Sequence, residues 1–371
     1  MKRALVSVIN DLSTDQRVDK VCKTLKKCGY NVLLVGRKKK NSLPMENRMY
    51  KTHRMKLIFE KEAVFYAEFN IRLFFFLLFH KSDILISNDL DTLLPNFLIS
   101  KIKRIPLVYD SHEYFIGVPE LEKNGFARKI WLAIEKWIFP KLKHVFTVNQ
   151  SIAELYQKQY NININIVRNI PLKRLTTISK TREELGLPMD KKIIILQGAG
   201  INIDRGVEEL VQSMQWIKNS ILLIIGNGDI IESLKTKTDE LQLNEKVKFI
   251  NRLTYNELIN YTANADLGLT VDKDSNLNYK FSLPNKLFDY ISAGIPVLAS
   301  NLPEVKRIVE KYKVGEILYS HKPEIMAQTI ENMLNNKEKL LEYKANTKIA
   351  ATELCWENEE IELNKVYNLY N

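Results

Sequence analysis

The chain has 371 residues, of which 45% are hydrophobic, a length that suits two domains with sizeable cores. Its net charge of +11 is lopsided: residues 1–160 hold 28 Lys and Arg against 16 Asp and Glu (+12), and residues 161–371 hold 27 against 28 (−1). A basic first half attracts anionic lipid, nucleic acid or a phosphorylated substrate, but no finger spacing and no aromatic-interleaved RNA motif favours nucleic acid.

The first half alternates strands with helices. Ala4 to Ile9 reads as a buried strand, and Asp11 to Arg17 as a polar loop entering a helix. Val18, Val21, Cys22 and Leu25 recur at helical spacing, and Gly29 ends that helix. Val32 to Gly36 is the next strand, followed by Arg37-Lys38-Lys39-Lys40 on the edge where such sheets bind ligands. Residues 62–80 form a Phe-rich helix that includes Phe65, Phe69, Phe75 and Phe79, with Arg72 inside it. Its fully apolar part is too short to span a bilayer. It reads as a core helix, or as one whose outer side dips into a membrane interface. Ile84 to Asp89, Leu107 to Glu113 and Val145 to Asn149 each run from apolar strand to polar end, and Ser151 is placed to cap a following helix. Ile164 to Pro171 closes the series, and the polar stretch 172–190 with Gly186 and Pro188 reads as an interdomain link.

A second series follows. Strands are expected at Ile193–Leu196, Ile221–Ile225, Val247–Ile250 and Ala265–Val271, with helices over Gly206–Trp216 and from Thr254. Lys280 to Val297 reads as a polar loop, a short helix opening at Pro284, a stop at Gly294 and Pro296, and a strand start. A helix N-terminus with Lys286 beside it suits an anion, and Asp289 one turn on suits a sugar hydroxyl. Residues 324–350 and 356–371 read as helical. Two runs of alternating strand and helix predict two parallel-sheet domains.

The cysteines Cys22, Cys28 and Cys355 make neither metal spacing nor a disulfide framework, and fit a reducing, cytoplasmic setting. The apolar run after Met1 is too short for a signal peptide. Asp89-Leu90-Asp91 and Asp272-Lys273-Asp274 have the D-x-D form, yet short motifs match by chance. His53, His80, His144 and His321 have no ligand spacing, so no metal site is expected.

Gln197-Gly198-Ala199-Gly200 with Asp204-Arg205-Gly206, Ile225-Gly226-Asn227-Gly228, the run Asn251 to Leu258, Ala265-Asp266 and Leu283 to Val297 together resemble the donor domain of a family 4 retaining glycosyltransferase. Asn10-Asp11-Leu12 with Asp15-Gln16-Arg17, and Tyr109 to Glu113, are similar to its acceptor half. The resemblance implies an α/β GT-B fold, with two Rossmann-like domains and a deep interdomain cleft: 1–171 on the acceptor side, 190–355 for the donor nucleotide, and a helix over 356–371 returning to the first. It implies a nucleoside-diphosphate sugar as donor substrate, with no separate cofactor. It assigns catalysis to His112, Arg205 and Lys286, and donor binding to Gly198, Gly200, Arg205, Asn227, Arg252, Leu283, Asn285, Lys286 and Asp289. The first acid that such proteins carry, with seven residues between it and the second, is replaced here by Phe281, and the backbone of Phe281 to Leu283 is the substitute.

The expected partners are a nucleotide sugar, a saccharide or lipid-linked acceptor, and the anionic inner face of a membrane, with no nucleic acid. Retention is expected through transfer of the acceptor's proton to the leaving phosphate on the same face. A nucleotide-sugar epimerase of the same fold, and a catalytically weak scaffold for another transferase, are the two other readings.

Overall fold

The computed structural model describes residues 1–371 except 14, 41, 43, 46, 119–120, 122–124 and 174–178. It divides into two compact units. One comprises 1–169, 276–278 and 359–371; the other comprises 170–275 and 279–358.

The first unit runs β1 (Arg3–Asp11), α1 (Gln16–Lys27), β2 (Asn31–Lys38), β3 (Lys51–Lys56), α2 (Glu62–Phe79), β4 (Ile84–Asn88), α3 (Leu90–Lys103), β5 (Leu107–Ser111), α4 (Gly125–Ile138), β6 (His144–Thr147), α5 (Gln150–Tyr160) and β7 (Asn165–Ile166). Its seven strands lie parallel in the order β3-β2-β1-β4-β5-β6-β7. The order reverses between β1 and β4, and such a switch point is where open α/β sheets place ligands. Strands β4 and β5 are buried along their whole length, as a sheet covered on both faces requires.

Local chemistry explains the helices. The Asp15 carboxylate accepts the Val18 N–H at 3.0 Å and starts α1. In α2, Phe65, Phe69, Leu73 and Leu77 recur every fourth residue and form the buried face. The cap of α5 is Asn149, not Ser151: the Asn149 side chain accepts the Ile152 N–H at 2.9 Å, while Ser151 lies inside the helix. The edge strand β3 escapes a reading by periodicity because only Met55 of Lys51–Lys56 is buried. Residues 359–371 close this unit through polar contacts. Glu360 accepts from Thr24 (2.9 Å) and Lys27 (2.8 Å), and the Tyr30 hydroxyl donates to the Tyr367 carbonyl (2.7 Å).

The second unit contains β8 (Lys192–Gly198), α6 (Val207–Ser213), β9 (Ser220–Gly226), α7 (Ile231–Glu240), β10 (Val247–Ile250), α8 (Tyr255–Ala263) and β11 (Leu267–Thr270). After the short helix α9 (Leu277–Lys280) come α10 (Asn285–Ala293), β12 (Val297–Ser300), α11 (Pro303–Tyr312), β13 (Gly315–Leu318), α12 (Pro323–Asn335) and α13 (Lys337–Glu353); the last helix, α14 (Trp356–Tyr367), belongs from Glu359 onward to the first unit. The parallel order is β10-β9-β8-β11-β12-β13, so the same switch point recurs between β8 and β11. Alternation along β8 sends Ile194 and Leu196 into one core and Ile193 and Ile195 into the other. Helix α8 begins with a capping box, in which the side chains of Thr254 and Glu257 each accept the other's backbone N–H. The helical stretch expected over 324–350 is two helices. Asn336 ends α12, and its side chain caps α13 by accepting the Lys339 N–H at 3.0 Å. Of the polar stretch 172–190, residues 174–178 lie outside the described residues; within the remainder, Arg182 pairs with Asp266 at 2.8 Å.

Helix α10 is fixed to this sheet by Tyr290. Its ring fills the space over Gly268, where a Cβ would come within 2.4 Å of the ring. Its hydroxyl lies 3.1 Å from the Leu269 carbonyl and accepts the Gln197 N–H at 3.3 Å. Tyr290→Phe removes that hydroxyl and strands buried backbone groups. A loss of about 1–3 kcal/mol is expected in urea unfolding, and an unchanged midpoint would contradict this role.

Candidate active site

In the second unit, the chain leaves β8 at Gly198 and β9 at Gly226, and these strand ends nearly touch. Gly226 has φ +141°, and a Cβ there would sit 1.8 Å from the Gly198 carbonyl. Asn227 donates its N–H back to that carbonyl (3.3 Å) and accepts from Ile201 (3.0 Å). Gly198 and Gly200 differ, since a Cβ on either would meet no heavy atom closer than 3.9 Å. The first contact is backbone packing; the second is open space at the strand end, suited to close approach by a ligand.

Around the switch point, the loop after β8 supplies Arg205, the segment two residues past β11 supplies Asp272, and the first turn of α10 supplies Lys286. Asp272 is buried; one of its oxygens accepts from Arg205 Nη1 at 3.1 Å, and the other lies 3.4 Å from Lys286 Nζ. Burial pushes the Asp272 carboxyl up, but Lys286 and Arg205 outweigh it and hold it below the usual carboxylate range. Burial lowers the Lys286 ammonium, with Asp272 opposing. The Arg205 guanidinium lies 3.9 Å above the Tyr279 ring, and its Nε is buried without a hydrogen-bond partner. Two cations on one carboxylate leave a local excess of one positive charge beside the N-terminus of α10. That end has no side-chain cap, so its dipole adds to the excess.

Asp289 stands one turn further along α10. It accepts from Gln197 Nε2 and from the Tyr255 hydroxyl, both at 3.1 Å, and Gln197 is itself oriented by Thr262 at 2.7 Å. Asn285 is exposed at the start of α10, and Leu283 is half-buried in the turn before it. Arg252 is exposed in the segment after β10. The Ser282 N–H, one of the backbone groups expected to replace the missing acid, donates instead to the Tyr279 carbonyl at 3.1 Å. Spacing did not single out Asp272, Gln197 or Tyr255. The one signal for Asp272 is an acid directly after an apolar strand, and it was read only as part of a chance D-x-D match.

In the first unit, His112 follows β5 and faces the end of β4. Its N–H donates to Asp89 (2.8 Å), Nδ1 lies 3.2 Å from the Asp89 carboxylate, and Nε2 lies 3.1 Å from Asn88 Oδ1 and 3.5 Å from Asp110. Asp110 is gripped by buried Arg17 through Nε (3.1 Å) and Nη2 (2.6 Å), while Arg17 Nη1 donates to the Val167 carbonyl (2.8 Å). Asp89 adopts φ +59°, a strained backbone for a non-glycine residue, and so aims its carboxylate at His112. Burial disfavours the imidazolium, but Asp89 and Asp110 together raise the His112 pKa to about 9. The ring is therefore a fixed cation with both nitrogens engaged, which does not suit a general base. Asp91, the second acid of that D-x-D, is buried with Oδ1 unpartnered. Among the described residues, no group of three or more His, Cys, Asp or Glu side chains is placed to hold a metal ion.

The folded pKa of His112 lies above its unfolded value of about 6.5, so its stabilisation is complete below that value and is lost as pH rises through about 9. Denaturant unfolding of the wild type and of His112→Gln from pH 6 to 10 should show a stability gap of about 3 kcal/mol at the acid end that closes toward pH 10. A gap independent of pH would refute the charged state.

Two family profiles match the sequence. Glycosyltransferase Family 4 covers residues 15–171 and Glycosyl transferases group 1 covers residues 177–350. No curated protein sequence matches the chain. Among solved structures, sucrose-phosphate synthase from Thermosynechococcus elongatus superposes with a TM-score of 0.81 at 16% identity, over 100% of this chain and 99% of that one. HepE from Anabaena, in complex with UDP-glucose, gives 0.75 at 14% identity over 99% of each chain. WaaG, a glycosyltransferase involved in lipopolysaccharide biosynthesis, gives 0.73 at 14% identity, over 98% of this chain and 99% of that one. With both halves matched in order and two parallel sheets of the GT-B type, the chain belongs to the group 1, family 4-type glycosyltransferases.

Proposed function

We propose that this chain moves a hexosyl group, with retention, from a nucleoside-diphosphate sugar to a saccharide or lipid-linked acceptor in the synthesis of a cell-surface polysaccharide or glycoconjugate. The observation that supports this most is the pairing of Arg205 and Lys286 on buried Asp272, next to the uncapped start of α10. As the bond from C1 of the sugar to the phosphate oxygen breaks, negative charge grows on the diphosphate. Preorganised cations and backbone N–H groups stabilise such charge without having to rearrange. Arg205 and Lys286 take this role, so the step uses neither a divalent metal nor a resident cofactor. Asp289, held in place by Gln197 and Tyr255, accepts the ribose hydroxyls, as an ionised carboxylate is an acceptor only. Gly198 and Gly200 leave room for the sugar and phosphates. Asn227, Arg252, Leu283 and Asn285 border the nucleotide.

The acceptor hydroxyl forms the new bond to C1 on the face the phosphate leaves, and its proton passes to the departing phosphate oxygen. The acceptor lies on the first unit, near the His112 imidazolium, which orients it and moves no proton. The epimerase reading needs acid and base groups on both sides of the sugar ring, and His112 is already engaged by Asp89 and Asn88. Complexes of HepE with UDP-glucose and the role of WaaG in lipopolysaccharide biosynthesis support a donor and acceptor of this kind. A lipid-linked acceptor and the basic first half together favour work at the anionic inner face of a membrane, although no helix among the described residues is long and apolar enough to cross one.

Melting temperatures across UDP-, GDP-, ADP- and dTDP-sugars test the donor. One base class should raise the temperature, as a ligand selective for the native state must. Lys286→Ala and Arg205→Ala should weaken that shift, and Lys286→Ala should lower kcat by about 10²–10³-fold. Stabilisation by none of the four, or conversion of the donor alone into another sugar nucleotide, would overturn the proposal.

A further inference from the structure

Helix α4 is built inside out. Phe126, Ile130 and Trp137 lie on one face, at spacings of four and seven, and all three are exposed to solvent, Phe126 by 75%. The helix's one acid, Glu135, points the other way and is fully buried, accepting from the Tyr160 hydroxyl at 2.5 Å. A surface helix that serves only its own core does the reverse.

Helix α2 shows the same outward pattern. Its buried stripe uses Phe65, Phe69, Leu73 and Leu77, yet the opposite side carries Ile71, Phe75 and Phe79, with Phe79 exposed by 78%. The charges beside that side, Glu68 and Arg72, cancel each other in an ion pair of 2.7 Å. The two helices belong to one layer of the first unit. Tyr66 of α2 packs edge-on against Trp131 of α4 at 5.4 Å, the Asn70 side chain donates to the Asp91 carbonyl of α3 at 2.9 Å, and Phe97 of α3 meets Trp137 at 5.4 Å.

Basic residues rim this apolar surface. Lys129 and Lys136 flank the α4 stripe and are exposed. The Lys141 ammonium lies 4.9 Å above the Trp137 ring, and the Lys101 ammonium lies 5.2 Å above Phe97. From Gly125 to Lys141 there are four basic residues (Arg128, Lys129, Lys136 and Lys141) against the single buried Glu135. Exposed aromatics with lysines at their rim and, on α4, the one acid turned inward are the pattern of helices that lie in the headgroup region of an anionic bilayer.

We propose that the outer faces of α2 and α4 form a docking surface for an anionic lipid bilayer, with Phe75, Phe79, Phe126 and Trp137 entering the interface and the lysines pairing with lipid phosphates. The surface also has a route to the site. The segment after His112 packs Phe115 against Trp131 of α4 at 5.3 Å, so the docked helix lies next to the residues proposed to meet the acceptor. The docking surface rests on the membrane-linked acceptor of the preceding reading for its purpose, and on the residue pattern for its existence.

The test is co-sedimentation of the full chain with phosphatidylcholine vesicles, with and without phosphatidylglycerol, read beside the nucleotide-sugar melting shift. The wild type should bind only the anionic vesicles, and about tenfold more weakly at high salt. Phe75→Ser with Phe79→Ser, and separately Phe126→Ser with Trp137→Ser, should each weaken binding about tenfold or more and leave the nucleotide-sugar shift intact. These residues are exposed, so the variants are expected to fold. Absence of vesicle binding with an intact nucleotide-sugar shift overturns the docking surface alone. Vesicle binding without any nucleotide-sugar shift overturns the transferase reading alone. A dimer in light scattering that these substitutions dissolve would make the face an interface between two copies, and would also overturn lipid docking.

Discussion

One buried carboxylate organises the second unit. Asp272 lies two residues past the central strand β11 and draws Arg205 from one loop and Lys286 from the first turn of α10 to the same point. Neither cation would stay close to the other without it, because like charges repel strongly away from water. Removing Asp272 from solvent is unfavourable by itself. The two ion pairs offset that cost and leave one uncompensated positive charge. The site therefore holds its charge before any ligand arrives, as electrostatic stabilisation of a leaving group requires.

The first unit solves a related problem with opposite signs. Asp89 and Asp110 converge at the ends of two adjacent buried strands, and would repel each other if both were ionised and unpaired. Arg17 reaches Asp110 from α1, and His112 lies against Asp89, so the cluster alternates acid and base. The strained backbone of Asp89 is tolerated because its carboxylate meets both the N–H and the ring of His112. A histidine fixed in this way contributes charge and shape, and the proton movement in the proposed reaction falls to the departing phosphate.

Both clusters sit where they do for one topological reason. Each sheet winds outward from its first strand in both directions, leaving a crevice at the carboxyl ends of the two central strands. Loops entering that crevice can carry polar residues without disturbing the cores, whereas the strands themselves are buried on both faces. The helix layer of the first unit follows a different rule. Helices α2 and α4 satisfy the core with one side and still present aromatics on the other, so their outer faces are explained by a partner and not by folding.

The sequence by itself determined the two parallel sheets. Apolar runs such as Ile193–Leu196 with polar ends, the polar loop from Asp11 that leads into α1, and the Pro284 and Gly294 limits of α10 are local signals with local causes. The order of its glycines, basic residues and acids pointed to a glycosyltransferase and nominated Arg205, Lys286, Asp289 and His112. Only the tertiary structure decided which groups these residues meet. The strand β3 was hidden because an edge strand need not be apolar, and Asn149 took the cap that spacing had assigned to Ser151. Asp272 and Gln197 became part of the site through contacts 67 and 92 residues apart in the chain. The inward turn of Glu135 on α4 is likewise invisible in composition. Periodicity reports which residues share a face, but the packing of neighbouring helices decides which face is buried.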